Sequence, residues 1–253
     1  MSFSTAWLDL RERADNAARD ASMLAKARDF LAQRPDALVV DLGSGTGSTL
    51  RAIGTVPARW RLVDYDPALL GEAARRSATT IETVELDLTR TAQIPLDGAA
   101  LVTASALFDL ASAEWIDALA DRLAASRIGL YAALSYDGVL EWDPADADDA
   151  AVRAAFNAHQ RSDKGFGPSL GPSGAYHLAE AMRERGYGVA TAASPWRLGS
   201  DEGELQRALV TGIADAAREL GVASADAWLE RRLEAAPTTR CTVGHLDVLA
   251  LPA

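Results

Sequence analysis

The chain has 253 residues, 49% of them hydrophobic, with 25 Lys+Arg against 36 Asp+Glu, a formal charge of -11 and one cysteine. That size suits one α/β domain with insertions, or a domain with a cap, and no low-complexity tract argues for disorder. The acidic balance argues against nucleic acid as a partner, and no stretch reaches the ~20 apolar residues of a bilayer span, so no membrane partner is expected. Cys241 alone excludes an internal disulfide and a cysteine-based zinc site, which favours a reducing, cytoplasmic compartment. Residues 1–10 lack a basic run followed by an apolar block, so no signal peptide is expected. Only Lys26 and Lys164 are lysine among the basic residues, and a lysine that persists against such a bias draws attention.

In chain order, apolar residues recur at helical spacing from Trp7 to Ala25, and Pro35 marks a break. Residues 37–42 form a short apolar strand that ends in Gly43-Ser44-Gly45-Thr46-Gly47, after which 48–53 resume a helical pattern. A strand over 60–65 leads into Asp66-Pro67, an N-cap with proline at the first helical position, and a helix over 68–77. Strands over 83–88, 101–104 and 128–134 follow, with a helix over 113–125 before the last. This alternation predicts an α/β fold: a Rossmann-like, mostly parallel sheet with helices on both faces. From Tyr136 the alternation stops. An acidic stretch, Asp137 to Asp149, precedes a helix over 150–160, a polar glycine-rich loop over 161–174 and an amphipathic helix over 175–185. A strand over 188–193, a largely helical segment over 200–236 and a final apolar strand over 241–249 complete the chain, the last strand being expected antiparallel.

The glycine loop carries the strongest signal. Glycines after a strand permit a tight turn and close approach of a ligand to the backbone, and they also serve plain turns. A nicotinamide site needs Gly or Ala at position 48, where Ser48 stands, and Asp41 before the loop is a poor neighbour for a diphosphate. A ligand with a cationic amino-acid end suits that acid better. The segment Val39-Val40-Asp41-Leu42-Gly43-Ser44-Gly45-Thr46-Gly47 resembles the first motif of the class I S-adenosylmethionine-dependent methyltransferase family, small-molecule type. Asp64 ends the second strand as that family's ribose-binding acid does, with Tyr65 beside it for the adenine. Glu85-Leu86-Asp87-Leu88 resembles the motif in which an acid, here Asp87, meets the adenine amino group and the Leu88 backbone meets the ring. The resemblance covers residues 36–135 well and the last strand loosely. It implies S-adenosyl-L-methionine as cofactor, held by Asp41, Gly43, Ser44, Gly45, Gly47, Asp64, Tyr65, Asp87, Leu88 and Ser105. One of Arg11, Arg13 and Arg19 in the N-terminal helix is then a candidate for the cofactor's carboxylate, against the plain reading of an ion-paired surface.

In this fold the acceptor faces the ends of strands four and five, which puts Ser105, Phe108, Asp109, Tyr136 and Asp137 nearest. Asp109, Tyr136 and His159 are the candidates for catalysis; Phe108, Asp109, Tyr136, Arg161 and Lys164 are the candidates for substrate binding. Asp109 serves either as a base or cation anchor, or as a surface acid starting a helix. Arg161 and Lys164 suit an anionic substrate or belong to a solvated loop, and His159 also fits core-edge packing with Val152, Ala155 and Phe156. His245 and Asp247 share a face of the last strand and read as structural. The three histidines are scattered, so no metal site is expected. No Asp/Asn/Ser-Pro-Pro-aromatic turn follows strand four, which disfavours methylation of DNA bases or glutamine amides, and Arg122-Leu123-Ala124-Ala125-Ser126 replaces the family's usual turn before strand five.

The expected organisation is an N-terminal helical lid over 1–34, a cofactor-binding core over 35–136, an inserted cap over 137–186, and C-terminal core strands over 187–253 with a helical insertion at 195–236. The expected function is methyl transfer from S-adenosylmethionine to a small-molecule acceptor by in-line displacement. A cofactor-binding regulatory or scaffold protein without turnover is the alternative. The acid excess in 137–149, after strand five, favours a cationic or neutral acceptor.

Overall fold

The computed structural model describes residues 3–253. The N-terminal helical pattern is two helices rather than one, α1 (Thr5–Ala18) and α2 (Ala21–Ala32). The break falls at Arg19, whose backbone is extended, and Asp20 caps α2 by accepting from the Met23 N–H. The alternating segment then runs β1 (Ala37–Leu42), α3 (Ser48–Ile53), β2 (Ala58–Asp64), α4 (Pro67–Arg76), β3 (Ile81–Glu85), β4 (Ala99–Ser105), α5 (Ala113–Ala125) and β5 (Gly129–Asp143). After it come α6 (Asp149–His159), α7 (Gly174–Glu184), β6 (Tyr187–Ala193), β7 (Trp196–Leu198), α8 (Gly203–Glu219), α9 (Ala225–Ala235) and β8 (Arg240–Pro252).

One sheet has the order β3-β2-β1-β4-β5-β8-β6, with β7 also paired to β8. Strands β1 to β5 are parallel, and β8 runs antiparallel to β5, β6 and β7. The apolar run of β1 is buried on both faces, as a central parallel strand requires. On one face α5 and α7 pack Trp115, Ile116, Leu119, Leu178 and Met182 against β1, β4, β5 and β8. On the other, α2 and α4 pack Met23, Ala27, Leu31 and Leu70 against Val39, Leu62, Tyr131 and Leu249. Helix α2 is therefore a sheet-packing helix, whereas α1 reaches the carboxyl ends of the strands, where Leu8 and Arg11 line the same cavity as Gly43 and Ser105.

Strand β5 does not stop near residue 134. It runs on to Asp143, paired with the N-terminal half of β8 through Trp142↔Cys241 and Asp143↔Arg240. Register shifts after Ala132 and Tyr136 bend this long ladder away from the main sheet. Its outer half is the floor of a third core, where Tyr136, Leu140, Trp142, Trp196 and Val243 meet Val152, Ile213 and Trp228 of α6, α8 and α9. The helical cap is thus built on the sheet's own strands.

Candidate cofactor and acceptor site

The chain leaves β1 through left-handed glycines, Gly43 at φ +62° and Gly47 at φ +82°, a backbone that a side chain would strain. The loop between them is tied down from two sides. The Gly45 N–H donates to Asp64 Oδ2 at 2.7 Å, and Arg51, held by Glu12 of α1 at 2.7 Å, donates to the Thr46 carbonyl at 2.5 Å.

Beneath the loop several polar atoms are buried without partners among the described residues: Asp41 Oδ2, Ser44 Oγ, and Nε and Nη1 of Arg19. Asp41 receives the Thr103 hydroxyl, at 2.6 Å on Oδ1, and burial pushes its carboxyl up to about 7 against the pull of that hydroxyl and of Arg19. Arg19 reaches Ser105 Oγ at 3.2 Å and Thr49 Oγ1 at 3.4 Å. Of the three N-terminal arginines considered from sequence, Arg19 is buried under the loop, Arg11 faces the cavities and Arg13 is exposed.

In front of the loop lies a cavity of about 510 Å³. Gly43, Gly45, Asp64, Tyr65, Asp87 and Leu88 line it on one side, and Ser105, Lys164 and Phe166 on the other. Asp64 also accepts from the Asp66 N–H at 3.0 Å, so it holds the loop while facing the cavity. The hydroxyl and N–H of Thr89 both bond Asp87 and hold its carboxyl below the ordinary value. The Tyr65 ring is 64% exposed, free to lie against a ligand. Leu88 is fixed from behind, its carbonyl accepting from Trp115 Nε1 at 2.7 Å.

A second chamber, of about 450 Å³, adjoins the first and shares Arg11, Ala106, Leu110 and Lys164 with it. Asp109 faces it from the 3₁₀ turn Phe108–Leu110, 6% exposed, with Oδ1 lacking a partner among the described residues. Burial pushes this carboxyl up to about 6, against the Asp109 and Tyr136 backbone amides and the charge of Arg11. The turn is pressed from behind by α7: a Cβ on Gly174 would lie 2.1 Å from the Phe108 carbonyl oxygen. Tyr136 lines the chamber too, but its hydroxyl is spent on Asn157 Oδ1 at 2.7 Å, and burial raises it. His159 and Lys164 meet at the rim, where Lys164 Nζ lies 3.2 Å from His159 Nδ1 and Glu219 lies 3.0 Å from His159 Nε2.

The structure brings most of the sequence-derived residues together, with five exceptions. Asp41, Ser44 and Gly47 lie behind or within the loop rather than on the wall of either cavity. Phe108 is fully buried against Trp115 in the sheet core, so the substrate-binding expectation for it is corrected. Arg161 lines neither cavity; its guanidinium bonds the Asn157 carbonyl on the same helix end. The acidic stretch is corrected too: Asp146 and Asp148 pair with Arg231 and Asp149 with Arg232, which fastens α9, and Asp143 pairs with Arg240 across the β5–β8 ladder, so these acids meet arginines rather than an acceptor. The sequence reading missed the chamber's apolar wall, including Trp7, Trp196 and Ile213, and gave His245 a structural part although it lines the chamber. Those residues come from four separate elements, and no spacing links them.

No family model and no curated sequence matches this chain. Solved structures do match. A Bacillus halodurans protein described as a methyltransferase superposes at TM-score 0.55 with 12% identity, over 92% of this chain and 100% of that one. The YcgJ protein of Bacillus subtilis gives 0.53 with 10% identity, over 92% and 100%. A S-adenosylmethionine-dependent methyltransferase of Thiobacillus denitrificans, solved with S-adenosyl-L-homocysteine, gives 0.50 with 14% identity, over 99% and 100%. The strand order, the reversed β8 and the glycine loop at the end of β1 define the class I S-adenosylmethionine-dependent methyltransferase fold, and this chain has it.

Proposed function

We propose that this chain is a S-adenosylmethionine-dependent methyltransferase acting on a small molecule. The observation that carries the reading is the cavity in front of the glycine loop, where Gly43 and Gly45 bring backbone, and Asp64 and Asp87 bring carboxylates, to one space of about 510 Å³. Acids at the carboxyl ends of neighbouring parallel strands, beside such a loop, suit a ligand that carries hydroxyl and amino donors. S-adenosylmethionine is such a ligand, with Asp64 and Asp87 offering carboxylate oxygens to its ribose and adenine. When bound, the cofactor supplies an activated methyl on a cationic sulfur.

The chain's own residues do the rest. The loop, Asp64 and Asp87 fix the ligand, α1 shields it from water, and the adjoining chamber aligns an acceptor with it. Of Asp109, Tyr136 and His159, Asp109 is the one with unused acceptor capacity; Tyr136 and His159 shape the chamber. Among the described residues no helix is long and apolar enough to cross a membrane, and no group of side chains is placed to hold a metal ion.

Calorimetric titration with S-adenosylmethionine tests the reading. Saturable binding is expected, and no heat at millimolar ligand overturns it. Release of S-adenosylhomocysteine on incubation with a metabolite extract then separates an enzyme from a binding protein without turnover.

A further inference from the structure

We propose that the second chamber takes an uncharged, ring-bearing phenol, and that Asp109 removes the phenolic proton as the oxygen is methylated. This rests on the methyltransferase reading and adds the acceptor class to it. The wall of the chamber is apolar and aromatic: Trp7, Phe156 and Trp196 face Leu140, Leu209 and Ile213 across it. Such a surface gives affinity to a flat hydrocarbon body and penalises a charged one.

The cations on the chamber already have hydrogen-bond partners. Arg11 is held by both oxygens of Asp15, at 2.9 and 3.1 Å, and stacks over Trp196 at 5.1 Å. Lys164 is turned to His159, which is itself held by Glu219, and burial lowers the lysine's pKa. Arg11 and Asp109 put opposite charges on the same wall, so a net charge of either sign on the acceptor is opposed by one of them, and the apolar lining penalises both. Two buried atoms remain without partners among the described residues, Asp109 Oδ1 and His245 Nδ1, and both flank Tyr136. His245 stays neutral, since burial pushes it down to about 3. The chamber therefore asks for a neutral molecule that brings a hydrogen-bond donor to Asp109.

A hydroxyl is the donor whose oxygen needs a base. With its carboxyl near 6, Asp109 is ionised at neutral pH yet able to hold a proton. A phenol, near pKa ~10, lies within its reach, whereas an alcohol as weak as water, at ~15.7, does not. The step balances: the oxygen bonds to the methyl carbon, the carbon–sulfur bond breaks with its electron pair going to sulfur, and the hydroxyl proton passes to Asp109. The groups facing Asp109 are Arg11 from α1, Tyr136 from β5 and the backbone of its own turn.

The test uses 2-naphthol as probe, with naphthoate and naphthylmethylamine as charged analogues, and reads binding from the fluorescence of Trp7 and Trp196. Naphthol should bind at least about tenfold more tightly than either analogue. Gly212→Phe should abolish that binding and leave S-adenosylmethionine binding unchanged, because a Cβ at Gly212 meets nothing within 4 Å and the side chain would fill the chamber. Equal binding of the charged analogues, or no effect of Gly212→Phe, overturns the acceptor class while leaving cofactor binding intact.

Asp109→Asn should bind naphthol within about threefold of wild type and methylate it roughly a hundredfold to ten-thousandfold more slowly. A nitrated naphthol, already ionised at assay pH, should recover most of that loss in the variant. An equal loss on both phenols overturns the role of Asp109. So does the absence of methylation of any phenol by a protein that binds both cofactor and naphthol.

Discussion

Asp41 and Asp109 share a chemistry that neither neighbour nor solvent resolves: each is a carboxylate sealed from water with one oxygen left over. Burial raises both above the ordinary value of 3.8, Asp41 to about 7 and Asp109 to about 6. In the ligand-free protein these raised values favour the fold at low pH, and the contribution is lost as pH rises from the ordinary carboxylate range through 7. Asp41→Asn should therefore remove part of the loss of stability seen as pH rises to about 7, as thermal unfolding across that range would show. Asp64 acts differently, since it both faces the ligand and holds the loop. Asp64→Ala should lower cofactor affinity by at least about tenfold and lower the melting temperature as well, each lost charged hydrogen bond being worth roughly 1.5–3 kcal/mol.

Helix α1 works as a strap over the cavity at the glycine loop. Asp9 pairs with Arg76 of α4, Glu12 with Arg51 of α3, and Asp15 accepts from Trp196 Nε1 of β7 at 2.9 Å. The strap and the glycine loop share one fastening, since Arg51 holds Thr46 and Glu12 together. Glu12→Ala should speed cofactor dissociation severalfold in stopped-flow measurements with little change in melting temperature, because a partly exposed pair contributes at most about 1 kcal/mol. On the opposite side, α7 comes so close to the turn bearing Asp109 that only glycine fits at position 174. Gly174→Ala should destabilise the fold by about 1–3 kcal/mol, as overpacking does, and slow turnover by moving Asp109; thermal unfolding and rate measurements check the two effects.

Across the whole molecule, the sheet and the cap are one ladder used twice. The inner halves of β5 and β8 lie in the main sheet, and their outer halves carry α6, α8 and α9. Trp228 anchors this arrangement, fully buried against Trp142 with its Nε1 donating to Asp149 at 2.8 Å. Asp149 in turn pairs with the buried Arg232, which lies over the Trp142 ring at 5.0 Å. Trp228→Ala should cost about 3–5 kcal/mol in chemical denaturation and weaken acceptor binding more than cofactor binding, since the cofactor loop rests on the other half of the sheet.

The sequence by itself determined the half of the sheet around the glycine loop. Its signals are local: a strand of continuous apolar residues, glycines at the turn, and acids at the ends of β2 and just beyond β3 fall in register because parallel strands align their carboxyl ends. Local pattern also carried most helices. It failed at Arg19-Asp20, where one capping side chain splits a continuous helical pattern, and at Asp137–Asp149, where charge counting cannot tell a solvated edge from acids clamped to α9. Only the tertiary structure decided the second chamber. Trp7, Asp109, Trp196, Ile213 and His245 lie far apart along the chain and meet because a bent ladder and an N-terminal strap close over one another. Burial, which tunes Asp109 and neutralises His245, is a property of that closure and of no segment alone.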